Sequence, residues 1–346
     1  MPTRAFLLAL LLIIPLSARA TPSLLVDAGS YEVLHAEDAG HAWYPASVTK
    51  LMTAFVAFET LRAGQITLET DIVFSKNALA QESVESKLTP GSIMSLEDAL
   101  YAMLGVSAND AAVAIAENIA GSEAKFVERM NETARRLQMT GTHFVNPEGL
   151  FHRDHVSTAR DLALLAIAID RSFPEYLPFF GLSEVQINNV KLESRNLLLT
   201  HYAGAIGLKT GFVCASGRNL VSLAERDGRR LVAIVLGATT DRERNERTAR
   251  LLQSGFEGDK RGNGLKLADL PNDPSSRPED MRMKLCSPKA AAYEQEQVKR
   301  YPMGLPGHPS YLSPATAPKR HVIRTRAAPP VTATTIPQPP PRPVTF

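Results

Sequence analysis

Residues 47–62 constrain this 346-residue chain more than any other stretch. Val48, Leu51, Met52, Ala54, Phe55, Val56, Ala57 and Phe58 fall on almost every face of a helix wound through Ser47–Arg62. A helix that is apolar all round must run through a core, with other elements packed about it. The composition can supply that core, at 44% hydrophobic and 21% charged residues. The formal net charge of +2 is too even for a dedicated nucleic-acid binder, so no nucleic-acid partner is expected. Two cysteines exclude a disulfide-rich scaffold and a four-cysteine zinc site. There is no His-Glu-x-x-His, and His152 and His155 have no third-ligand pattern, so they read as polar loop residues. No metal and no cofactor are expected.

The chain reads in three parts. Residues 1–20 carry Arg4, an apolar run from Phe6 to Leu16, and the small-x-small signature Ala18-Arg19-Ala20. That pattern predicts a cleaved secretory signal and a mature chain that starts near Thr21 and works outside the cytoplasm, in the periplasm or beyond. Residues 21–258 form the folded domain. Of the 24 prolines, 16 lie in residues 259–346. From Gln297 onward there are seven basic residues and no acidic one. A proline-rich stretch of low hydrophobicity cannot offset its ordering entropy, so 259–346 is expected to be a largely disordered tail. It is either a solvated linker end or a basic arm that touches an anionic membrane or wall polymer.

Within the domain, Ser23–Asp27 and Glu32–His35 read as paired strands. Ser95-Leu-Glu-Asp98 has the form of a capping box and opens a helix that Gly105 closes. Residues 109–120, 122–137 and 158–169 have helical periodicity. Asn219–Ala224 and Arg230–Leu236 flank Asp227-Gly228, a strong hairpin signal, and Arg242–Phe256 reads as a closing helix. The order is strands and helix, a helical block, then strands and helix. The fold class expected is mixed α/β (α+β): one antiparallel sheet made by the two ends of the domain, flanked by helices, with the helical block inserted.

Three short motifs carry chemistry. In Ser47-Val-Thr-Lys50, positions i and i+3 share a helix face, so the Lys50 amine reaches the Ser47 hydroxyl. Serine needs a base beside it, and burial in an apolar turn lowers a lysine's pKa enough to make it one. The motif alone is unspecific: Ser122-Glu-Ala-Lys125 repeats it on a polar helix and reads as a solvated pair. Ser107-Ala-Asn109 presents a hydroxyl and an amide from a loop, or caps a helix. Ser194-Arg-Asn196 repeats that pattern. Lys209-Thr210-Gly211 occurs once, beside a strand edge, where it suits the terminal carboxylate of an extended peptide or discourages aggregation. Taken together the motifs are far more specific, ordered S-x-x-K, S-x-N, K-T-G and separated by 60 and 102 residues.

This set resembles the marks of penicillin-binding proteins and class A β-lactamases. Over residues 23–258 the chain is most similar to the serine D-alanyl-D-alanine carboxypeptidases, the low-molecular-weight penicillin-binding proteins. The resemblance rests on Tyr44-Pro-Ala-Ser-Val-Thr-Lys-Leu-Met-Thr53, on Phe144-Val-Asn-Pro-Glu-Gly-Leu150 with Ser157-Thr-Ala-Arg-Asp161, and on Gly207-Leu-Lys-Thr-Gly211 with Gly217-Arg-Asn-Leu-Val221. It implies a penicillin-binding transpeptidase-like fold and removal of the terminal D-Ala from peptidoglycan stem peptides. β-Lactams would be inhibitors. By resemblance Ser47 is the acylated nucleophile, Lys50 its base, and Ser107 the proton relay to the leaving group. Asn109 holds the substrate amide, and Lys209, Thr210 and Gly211 receive the carboxylate. The N–H groups of Ser47 and Phe212 form the oxyanion hole, and Arg242 or Arg244 assists the carboxylate. Ala108 stands where the family commonly has Gly or Asp. The tail does not resemble the family's β-rich C-terminal domain or its terminal amphipathic helix.

In an oxidising compartment Cys214 and Cys286 are expected to pair, with two free thiols the alternative. The competing activities are D,D-endopeptidase action on cross-links, a β-lactamase with Glu148 as deacylating carboxylate, and a non-catalytic wall-binding module.

Overall fold

The computed structural model describes residues 21–84, 87–260 and 262–327. The signal-peptide expectation for residues 1–20 and the last part of the tail, 328–346, lie outside the described residues.

A five-stranded antiparallel sheet organises the molecule. It contains β1 (Ser23–Asp27), β2 (Val33–Glu37), β7 (Ala205–Val213), β8 (Gly217–Arg226) and β9 (Arg229–Ala238), in the order β2-β1-β9-β8-β7. The expected meeting of the two ends of the domain is the β1–β9 pairing, with Leu24 opposite Ile234 and Val26 opposite Val232. The Asp227-Gly228 turn joins β8 to β9 with φ of 51° and 75°, the left-handed pair that a two-residue hairpin needs.

Alternation along the strands separates two apolar layers. Leu24, Val26, Val221 and Ile234 face the main core, while Leu25, Leu220, Ala233 and Val235 pack beneath Ala249 and Leu252 of the helix Asp241–Phe256. The apolar helix, Lys50–Arg62, runs through the main core, and Leu51, Met52, Ala54, Ala57 and Phe58 are fully buried. Its start differs from the expectation. Ala46–Thr49 form a 3-10 turn, and the α-helix begins only at Lys50. The helical block (Leu96–Gly105, Asn109–Ala120, Glu123–Arg136 and Ala159–Ser172) surrounds this helix. Ser95, Ser122, Thr158 and Thr240 cap their helices, each accepting the backbone N–H three residues on. Asp98 does not complete the capping box. Its carboxylate binds His321 Nε2 at 2.6 Å and the Arg324 N–H at 3.1 Å.

Those two residues belong to the tail, and here the expectation of disorder from 259 onward is corrected for residues 262–327. This segment wraps the domain as a strap. It contains the helix Ala290–Arg300, and it adds a strand to each of two small sheets. β10 (Arg320–Ile323) runs parallel to β5 (Glu184–Ile187), which pairs with β6 (Val190–Glu193). β11 (Arg326–Ala327) pairs with β4 (Ser92–Ser95), which pairs with β3 (Asp71–Val73). A Cys214–Cys286 disulfide with a Cα–Cα distance of 5.8 Å ties the strap to the end of β7. The physical reason is that the strap needs no core of its own. It satisfies part of its backbone on existing strand edges and buries Leu267, Met281, Tyr301, Met303 and Ile323, while Met283 and Val322 stay exposed.

Candidate active site

The nucleophile turn sits between the sheet edge and the helical block. Asn219, at the start of β8, donates from Nδ2 to the carbonyls of Tyr44 at 2.9 Å and Pro45 at 3.1 Å, and its Oδ1 accepts the Gly237 N–H. Gly211 on β7 packs directly on the turn: a Cβ there would lie 2.9 Å from the Pro45 carbonyl and 3.0 Å from the Ser47 nitrogen. Only glycine allows so close an approach. It brings the N–H groups of the nucleophile turn and of the β7 edge to one place.

Lys50 is completely buried, and its Nζ lies 3.1 Å from Ser47 Oγ, 2.6 Å from Asn109 Oδ1 and 2.6 Å from the carbonyl oxygen of Glu148. Burial pulls its pKa down to about 7, opposed by the charges of Glu148 and Asp110. A neutral amine here donates to the two stronger acceptors and accepts the Ser47 O–H, which is the arrangement of a base. Asn109 also donates to the Glu82 carbonyl and so fixes the loop at 82–84.

Ser107 has φ of 66° and borders the cleft. The helix that follows takes Ala108 as its N-cap, without a side-chain cap bond, so the capping alternative for Ser107 does not hold. Lys209 is buried, and its amine donates to the Thr210 carbonyl at 3.0 Å. Burial first, then the charges of Lys50 and Arg244, depress its pKa. Ser47, Ser107, Asn109, Thr210, Gly211 and Phe212 all line one cleft of about 750 Å3.

Arg242 is corrected. Its guanidinium donates to the carbonyls of Tyr301 and Met303 in the strap, away from the cleft. Two residues along a helix turn about 200°, so Arg244 faces the cleft instead. Arg244 is 1% exposed and pairs with Asp241 at 2.9 Å. Arg218 at 3.2 Å and Arg195 at 3.8 Å share the same carboxylate. Three guanidinium groups on one aspartate leave this end of the cleft positive.

Of the repeated motifs, Ser122–Lys125 stays apart from the centre, while Ser194 and Arg195 border a hollow beside Ser107, Lys209 and Thr210. Ser122 only caps its helix, and Ser194 Oγ accepts the Asn196 N–H at 3.3 Å. His155 is not a polar loop residue in any exposed sense. It is 2% exposed, and its Nδ1 accepts the Val145 N–H, so Nε2 donates to Thr49 Oγ1 at 2.8 Å. Burial lowers its pKa to about 3. Sequence reasoning missed the bracing roles of Asn219, His155, Thr53 (whose hydroxyl donates to the Pro147 carbonyl at 2.6 Å) and Arg195. The available signal was polar residues set into apolar runs.

The sequence matches the family described as D-alanyl-D-alanine carboxypeptidase (Peptidase_S11) over residues 14–240. The chain belongs to this family. Relatives include D-alanyl-D-alanine carboxypeptidase DacC of Escherichia coli (strain K12), 35% identical over 69% of this chain and 62% of the relative. DacF of Bacillus subtilis (strain 168) is 32% identical over 70% of this chain and 63% of the relative. Among solved structures, penicillin binding protein 5 from Haemophilus influenzae superposes with a TM-score of 0.66 at 32% identity, covering 69% of this chain and 71% of that one. Penicillin-Binding Protein D2 from Listeria monocytogenes, in its ampicillin-bound form, has a TM-score of 0.63 at 33% identity, covering 69% and 97%. The chain thus spans a little over three fifths of the curated relatives' length. The family fold, an antiparallel sheet flanked by helices, is the fold described above.

Proposed function

We propose that this protein is a serine D-alanyl-D-alanine carboxypeptidase acting on peptidoglycan stem peptides and acylated by β-lactams. The reading is carried by one observation, the buried Lys50 amine held 3.1 Å from Ser47 Oγ beneath the glycine edge of β7. Ser47 gives its proton to Lys50 and attacks the carbonyl of the penultimate D-Ala. The negative charge that develops on oxygen is stabilised by the N–H groups of Ser47 and Phe212. The terminal carboxylate lies toward Thr210, Lys209 and the Arg244 end of the cleft, where its charge opposes the burial that depresses the Lys209 pKa. Ser107 passes the proton to the departing D-Ala amine, and water, deprotonated by Lys50, releases the acyl group.

The test is mass spectrometry after incubation with a labelled penicillin. One adduct is expected, on Ser47, absent in Ser47→Ala and formed far more slowly in Lys50→Ala. An adduct on another residue overturns the assignment.

A second reading, D,D-endopeptidase action on cross-links, is favoured by a further hollow of about 590 Å3 between Ser107, Thr210 and Arg195, which gives room on the leaving-group side. Comparing release from a stem pentapeptide with release from a cross-linked dimer separates the two. The β-lactamase reading needs Glu148 as its deacylating carboxylate, and fast turnover of penicillin without a persistent adduct on Ser47 would favour it.

We place the enzyme outside the cytoplasm on the residue pattern of 1–20. No helix among the described residues is long and apolar enough to cross a membrane. For the basic tail, Arg320 and Arg326 pair with Glu184 and Asp71, so part of the charge serves the strap. Contact with an anionic surface would rest on the others. Vesicle sedimentation with and without anionic lipid tests it, and equal sedimentation removes the idea.

A further inference from the structure

Glu148 is a buried ionisable group at the reaction centre that takes no side-chain part in the steps above. It is 3% exposed, and its Oε2 has no hydrogen-bond partner among the described residues. An unpaired buried carboxylate oxygen is costly, so nearby positive charge or protonation must offset it. The carboxyl hangs from the residue whose backbone carbonyl binds Lys50 Nζ at 2.6 Å, and it feels the opposite charge of Lys50 and the like charge of Glu123. Lys50 feels the charges of Glu148 and Asp110, and its own charge acts on Lys209 and His155.

The loop cannot carry this carboxyl away. Asn146 Oδ1 accepts the Gly149 N–H at 2.8 Å, and its Nδ2 donates to the Leu150 carbonyl at 3.0 Å. Gly149 lies against the nucleophile turn, where a Cβ would fall 2.0 Å from the Ala46 oxygen. The backbone of residue 148 is itself fastened to Lys50 at 2.6 Å.

We propose that Glu148 is a positioning residue for acylation, a second proton-holding group beside Lys50 that keeps the amine a strong base in a dry pocket. The proposal rests on the Ser47 acylation reading. A lysine buried with no counter-charge is neutral but weakly basic, and a base works best when its pKa lies near the operating pH. An adjacent carboxylate favours the ammonium and moves the balance back. When Ser47 Oγ bonds to the substrate carbonyl carbon, its proton passes to Nζ, and the new ammonium feels the charge of the Glu148 carboxylate. The proton then leaves with the departing amine. Glu148 forms no bond to substrate, and burial raises its own pKa to about 7.

The experiment is the pH dependence of acylation by a fluorescent penicillin in the full chain and in Glu148→Gln. Wild type is expected to label on Ser47 with an acid limb. In Glu148→Gln the loss of negative charge lowers the Lys50 pKa, so the limb moves to lower pH by about one unit, and the plateau rate falls. Circular dichroism establishes that the variant is folded. If that near-isosteric change does not fold, Glu148→Asp is titrated instead and is expected to keep the wild-type limb. A limb unmoved in a folded Glu148→Gln, or displaced in Glu148→Asp, overturns the proposal. Wild type that never labels on Ser47 overturns the acylation reading itself, a distinguishable outcome.

Discussion

The side-chain amide of Asn219 lies 2.9 Å from the carbonyl oxygen of Tyr44, 175 residues away in sequence, and this contact joins the central sheet to the nucleophile turn. With its bonds to Pro45 and Gly237, it sets where Ser47 stands relative to β7. In Asn219→Ala three buried bonds go, at about 1 kcal/mol each. Urea denaturation is expected to show a loss of about 3 kcal/mol, with penicillin acylation slowed as well. Unchanged stability and rate would remove Asn219 from the scaffold of the site.

Arg244 and Arg242 make an internal control, two residues apart on one helix and facing opposite ways. Loss of a charged hydrogen-bonding group from the cleft costs about 1.5–3 kcal/mol. Arg244→Ala should therefore lower the second-order rate of penicillin acylation by roughly tenfold to a hundredfold. Arg242→Ala should leave it near wild type while loosening the strap. Equal effects from the two variants would contradict the assignment of the cleft-facing arginine.

His155 sets a pH dependence of stability. Its folded-state pKa lies at about 3, below the ordinary 6.5, because burial disfavours the imidazolium. The unfolded chain therefore binds the extra proton first. The His155 contribution is intact above 6.5 and is lost as pH falls from there toward 3, at about 1.4 kcal/mol per pH unit within that window. In His155→Gln the stability measured by denaturant titration should fall less steeply over the same range. An unaltered slope would place the protonation elsewhere.

The disulfide closes a loop of 72 residues and holds the strap against the cleft end of β7. Cys214→Ser/Cys286→Ser is expected to lose about 2–4 kcal/mol. Its hydrogen exchange should rise first in residues 280–300. Protection there equal to wild type would show that strand pairing and the buried Met281 hold the strap unaided.

Much of this was legible in local pattern. Asp227-Gly228 carries its turn chemistry in two residues, and the fully apolar Leu51–Phe58 run admits no surface placement. Ser47 and Lys50 are one turn apart, so their contact followed from spacing alone. The tail was misread because composition counts apolar surface within a segment. Met281, Tyr301 and Ile323 are buried against partners far away in sequence. His155 looked like a loop histidine because nothing nearby marks the Thr49 hydroxyl it supports.

The sequence by itself determined the hairpin, the buried helix, the helical block and the three groups that bear chemistry. These depend on periodicity and on neighbours within a turn or two. Only the tertiary structure decided which arginine faces the cleft, that a proline-rich strap edges two small sheets, and that the backbone carbonyl of residue 148 holds the base. Those outcomes depend on burial and distance between segments that are far apart in sequence, and such energies appear only when the chain has closed on itself.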